Sequence, residues 1–142
     1  PVNLFVATFI GSPAMNLLSG KISGLSDNSV EVELNGGHKL SVACSPGTSV
    51  ATGAPVQFGV RPEHLDMTGH QDTTISGKVF AVERLGGETY VYLSIAEGME
   101  ITLHAPGDMK VSEGDMISVG VDPEKSYLFT EQGTAFDRIS SQ

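Results

Sequence analysis

Apolar residues change period once along this chain. Val2, Phe5, Val6, Phe9 and Ile10 recur at the spacing of one helical face. Gly11 and Pro13 follow as a stop signal, so a short helix and turn are expected over 1–13. From Ile22 onward the pattern has period two. Val30, Val32 and Leu34 alternate with Glu31 and Glu33, which predicts a strand with one wet face. Asn35-Gly36-Gly37 has hairpin chemistry, and Leu40 and Val42 resume the alternation beyond it. Val56, Phe58 and Val60 predict a further strand, stopped by Pro62. Later strands are expected near Ile75–Leu85, Tyr90–Ile95, Ile101–Ala105, Met116–Val121 and Tyr127–Phe129, with Gly86-Gly87 turning the chain. No helical period follows residue 18. The fold class is therefore all-β, a barrel or sandwich of short strands.

An internal repeat refines that reading. Ser19-Gly20-Lys21-Ile22 matches Ser76-Gly77-Lys78-Val79, and Pro46-Gly47 matches Pro106-Gly107. Gly53 matches Gly114, and Gly59-Val60-Arg61-Pro62-Glu63 matches Gly120-Val121-Asp122-Pro123-Glu124. The pieces recur in one order, as two copies of one β unit would. A unit of this size with about five strands suits a small OB-like barrel. Such a unit buries little surface alone, so two OB-like halves, 14–70 and 71–142, are expected to pack together, strand exchange being one way to do so, rather than to sit as beads on a linker.

Composition narrows the function. The 142 residues carry a formal charge of −9, which argues against nucleic acid as a partner. The single cysteine, Cys44, continues the period of Leu40 and Val42 and reads as core. The sequence has no phosphate-cradling G-x-x-x-x-G-K-[ST] loop and no G-x-S-x-G elbow. His38, His64, His70 and His104 lack metal-ligand spacing. No catalytic, cofactor-binding or metal residue is expected. Two polar groups stand out instead. Arg61, Glu63 and His64 flank a strand-ending proline; their counterpart carries Asp122 at the place of Arg61. Gly86, Gly87, Glu88 and Tyr90 form a glycine-led turn into a strand, where a partner could approach the backbone.

Several of these residues also carry a resemblance. Phe5-Val6-Ala7, Phe9-Ile10-Gly11-Ser12-Pro13 and Met15-Asn16 begin the set. Gly59-Val60-Arg61-Pro62-Glu63-His64-Leu65, Leu85-Gly86, Glu88-Thr89-Tyr90-Val91-Tyr92, Ala105-Pro106-Gly107, Asp122-Pro123 and Leu128-Phe129 complete it. Together they resemble the C-terminal region of the ATP-binding subunits of bacterial carbohydrate-import ABC transporters, of the maltose, glycerol-3-phosphate and polyol type.

The resemblance implies a transport-associated OB domain with a regulatory role, whose second copy meets it in the ATPase dimer. It implies a cytoplasmic setting at the inner face of the plasma membrane and contact with the chain's own ATPase domain. A cytoplasmic regulatory protein is a further implied partner, and permease subunits are reached only through the ATPase domain. ATP and Mg²⁺ belong to that ATPase domain. Phe5, Phe9, Gly11, Ser12, Pro13, Met15 and Asn16 are then expected at the junction with it. Pro1 would lie near that boundary, in keeping with a chain that begins without Met. An alternative resemblance rests on Asn16-Leu17-Leu18-Ser19-Gly20-Lys21-Ile22 and the hairpin after it. This stretch looks like molybdate-binding relatives of the OB unit, which would make the chain an oxyanion sensor.

Overall fold

A computed structural model describes residues 14–47, 50–68, 71 and 73–138. The expected helix over 1–13 lies outside the described residues. Within them the secondary structure is all-β apart from two single 3₁₀ turns. One five-stranded sheet has the order β11-β5-β1-β2-β3, from Ser126–Phe129, Pro55–Val60, Asn16–Leu25, Val30–Leu34 and Lys39–Val42. The other has the order β6-β10-β7-β8-β9, from Leu65–Asp66, Met116–Val121, Thr74–Arg84, Glu88–Ala96 and Met99–Pro106. A short third pairing joins β4 (Cys44–Ser45) to β12 (Asp137–Arg138). No helix among the described residues is long and apolar enough to cross a membrane.

The two copies fold alike down to individual hydrogen bonds. Ile22 N–H donates to Ala54 O (2.9 Å) and Gly53 N–H to Ile22 O (2.7 Å). Val79 N–H donates to Asp115 O (2.8 Å) and Gly114 N–H to Val79 O (2.8 Å) in the same way. Gly53 and Gly114 take φ values of 95° and 94°, a region that disfavours any residue with a Cβ. Each copy has a register shift at the same place, between Ile22 and Gly24 and between Val79 and Ala81. Such a bulge bends a long strand and lets a small sheet curl. Gly20 and Gly77 sit where the curl brings backbones together. A Cβ on either would stand 2.6 Å from Glu33 O or 2.7 Å from Ser94 O.

The fifth strands are exchanged. β6 follows β5 in sequence but pairs with β10, placing Leu65 opposite Val121. β11 follows β10 but pairs with β5, placing Ser126 opposite Val60. The 3₁₀ turns η1 (Pro62–His64) and η2 (Pro123–Lys125) carry the chain across. Buried residues of both copies, from Leu18 and Phe58 to Leu103 and Leu128, form one continuous core. Met15 and Phe129 make a small satellite cluster with Leu17, Tyr127 and Ala135 around it.

Two details differ from the sequence reading. β1 begins at Asn16, before the expected start at Ile22. Its alternation is hidden there because Leu17 and Leu18 are adjacent apolar residues that face different clusters. The corners at Pro62 and Pro123 are 3₁₀ turns rather than simple strand stops.

Candidate functional site

The strand exchange places η1 over β9 of the second sheet. The Arg61–His64 corner therefore stands beside the strands that carry Tyr90, and Glu63 contributes to the field at the Tyr90 phenol. Two groups that are more than twenty residues apart in sequence thus share one side of the molecule. Arg61 is half-buried and precedes the turn without a side-chain cap. Asp122 at the matching position accepts a hydrogen bond from Glu124 N–H (2.9 Å), as N-cap carboxylates do. The two corners are chemically different, as the substitution of Asp for Arg implies. His64 Nδ1 is buried without a hydrogen-bond partner among the described residues.

Gly86 has φ 74° and both turn glycines are exposed. Gly107 packs so tightly on this turn that a Cβ there would collide with Gly86 O. Glu88 and His104 approach to 2.9 Å across the β8–β9 pair. The Tyr90 and His104 rings lie 5.1 Å apart. Desolvation, then the charge of Glu88 and a hydrogen bond to it, raise the Tyr90 phenol above its ordinary pKa; Glu63 and Glu83 add to this. Desolvation and a hydrogen bond to Glu83 raise Tyr92 likewise. Tyr92 O–H donates to Glu83 Oε1 (3.1 Å), and its ring lies 6.2 Å from that of Phe80.

Phe80, Glu83, Tyr92 and His104 were not singled out by the sequence pattern. Comparing the copies position by position would have found them. Ser23 occupies the bulge where the second copy has Phe80, and Glu31 stands where it has Tyr92.

Among the expected junction residues, Phe5, Phe9, Gly11, Ser12 and Pro13 lie outside the described residues. Met15 is buried against Phe129, and a Cβ on Gly59 would come within 2.6 Å of its Sδ. Asn16 is buried and joins the copies. Its Nδ2 donates to Thr102 O (2.9 Å) and its Oδ1 accepts from Thr102 N–H (2.8 Å), so an amide side chain completes the edge of β9 as a strand would. Asn16→Ala is expected to lower unfolding free energy by about 1–3 kcal/mol, because both Thr102 groups lose their partners. Urea denaturation measures this; an unchanged midpoint would contradict it. A groove of 360 Å³ opens nearby, lined by Leu17, Ser19, Asn35, Met99 and Glu100 among others. Among the described residues, no group of three or more His, Cys, Asp or Glu could hold a metal ion.

Two family models match overlapping parts of the chain. The family model of the TOBE domain matches residues 58–129, and that of the MalK OB fold domain matches residues 11–65. The chain belongs to the TOBE domain family. This TOBE chain is 37% identical over 143 aligned residues to a maltose/maltodextrin import ATP-binding protein of Vibrio cholerae, covering 100% of the chain and 38% of that relative. It is 38% identical to the protein of that name from Mannheimia succiniciproducens, again over the whole chain and 39% of the relative. The TOBE chain thus spans well under half the length of these relatives. Among solved structures, the cytoplasmic molybdate-binding protein ModG, crystallised with molybdate, superposes with a TM-score of 0.68 at 20% identity. That match covers 81% of this chain and 95% of the other, and it supports the fold.

Proposed function

We propose that this TOBE chain is the non-catalytic regulatory and dimerisation domain of an ATP-binding subunit in a sugar-import ABC transporter. The observation that carries the reading is an alignment running the full length of the chain against maltose/maltodextrin import ATP-binding proteins while covering 38% of them. The strand-exchanged double barrel with one shared core suits a rigid adaptor, which transmits a docking event rather than absorbing it. Its partners are a second copy of itself, its own ATPase domain and a cytoplasmic regulatory protein, with permease subunits reached through the ATPase domain. ATP and Mg²⁺ belong to that ATPase domain. The setting is the cytoplasmic face of the bacterial plasma membrane. The halves 14–70 and 71–142 serve as one unit, with 1–13 as its junction, and Arg61, Glu63, His64 and the Gly86–Tyr90 strand entry as contact residues.

The purified chain is expected to show concentration-dependent, weak dimerisation by sedimentation equilibrium and no ATP turnover. Measurable hydrolysis, or a monomer at every concentration, would overturn the respective part. The ModG likeness keeps oxyanion binding as the second reading. Calorimetric titration with molybdate decides it, and tight binding would reverse the ranking.

A further inference from the structure

The repeat supplies an internal control for the outer faces of the two sheets. On the first sheet, Ser23 Oγ donates to Glu31 Oε1 (2.9 Å), Lys21 stands opposite Glu33, and Glu33 stands opposite Lys39. That face is polar and its charges are matched, which is what a solvated sheet surface needs. The same positions on the second sheet carry the Phe80–Tyr92 ring pair in place of Ser23–Glu31. Tyr90 and His104 extend the rings along β8 and β9. Phe80 is 43% exposed and Met116 on the same sheet is 68% exposed. Carboxylates surround the rings: Glu83 at Tyr92, Glu88 at His104 and Glu63 from the exchanged corner. Two arginines lie on this side: Arg61 at the corner that carries Glu63, and Arg84, which donates to the carbonyls of Gly107 (3.4 Å) and Val111 (3.2 Å). Lys78 stands at the far end of the face, opposite Met116 and Ser94.

We infer that the outer face of β7–β8–β9 docks an arginine-bearing segment of a partner protein, with guanidinium groups laid on Tyr90 and Tyr92 and paired to Glu83, Glu88 and Glu63. This deepens the contact role proposed above and rests on it. Arginine suits the site because its planar cation stacks on aromatic faces and forks to carboxylates at once. A second copy of this chain is a poor occupant. Self-contact through this face would oppose three carboxylates of each copy, in a protein of net charge −9. Desolvation first, and then the neighbouring carboxylates, raise the phenol pKa values of Tyr90 and Tyr92.

The test titrates the whole chain with a fluorescent arginine-rich peptide spaced by Gly and Ser, with lysine and glutamate versions as controls. Binding is followed by anisotropy and by amide chemical shifts. The arginine peptide is expected to bind saturably, more tightly than the lysine one, with shifts centred on Phe80, Tyr90, Tyr92 and His104. Glu83→Gln with Glu88→Gln is expected to weaken it by about tenfold or more. Phe80→Ser with Tyr92→Glu, which writes the first copy's pair onto the second, removes two rings while adding one carboxylate, and is expected to abolish the preference for arginine. Glu31→Gln with Glu33→Gln is expected to leave binding unchanged. Equal loss in that last variant, equal affinity for lysine, or absence of binding at low salt would each overturn the inference. All these positions are at least partly exposed, and circular dichroism checks that each variant folds. Sedimentation of the same variants separates the two readings. A wild-type chain that dimerises but does not bind the arginine peptide removes the docking face alone, whereas a monomeric wild-type chain that still binds arginine removes the dimer role alone.

Discussion

A chain ending at Val121 is expected to lose the fold of its first sheet, although every strand that the first copy contributes in sequence is still present. β11 is the outer partner of β5 along its length, from Ser126 opposite Val60 to Phe129 opposite Gln57. Its Leu128 and Phe129 are almost wholly buried. Burial of two such side chains stabilises by about 3–6 kcal/mol together. That is much of the 5–15 kcal/mol typical of a whole domain. Removing β11 also uncovers Met15 and leaves the edge of β5 unpaired. Because one core joins both copies, the damage should spread beyond the first sheet. The measurement is the amide spectrum of the truncated chain. Native-like shifts at Val32 and Leu40 would contradict the exchanged topology as the source of stability.

Phe58→Ala is expected to cost about 3–5 kcal/mol, the range for an aromatic removed from a close-packed core. Phe58 is 0% exposed and lies between Leu18 and Leu128 in the register of three neighbouring strands. It therefore touches β1 of its own copy and the strand received from the other. Urea unfolding should show one transition, its midpoint shifted and its slope kept, reporting both sheets together. Phe80→Ala provides the contrast: at 43% exposure it should change stability by less than about 1 kcal/mol. Two separate transitions, or similar losses for both variants, would contradict a shared core.

Much of this was legible from residues alone. The alternation of Val30, Val32 and Leu34 with Glu31 and Glu33, and the hairpin at Asn35-Gly36-Gly37, appear where the pattern puts them. Cys44 is buried in a short strand, as its period with Leu40 and Val42 implies. The start of β1 was not legible, since Leu17 and Leu18 serve two clusters and break the period. The short strands β6 and β12 were missed because two residues cannot display an alternation. Within the candidate site, Arg61, Glu63 and His64 stood out as polar residues around a proline, and Glu88 and Tyr90 through the glycine turn. Phe80 and Tyr92 did not, because an aromatic residue in an alternating strand looks the same whether it faces core or water until the bulge is placed.

The amino-acid sequence by itself determined the strands, the turns and the duplication. These depend on side-chain period and on Gly and Pro chemistry, which act between near neighbours in the chain. Only the tertiary structure decided which sheet receives each fifth strand, and hence that the charge of Glu63 acts on the Tyr90 phenol. The open edges at Val60 and Val121 belong to matching segments and offer the same pairing. Alternation alone therefore cannot choose between them; the direction in which η1 and η2 send the chain does.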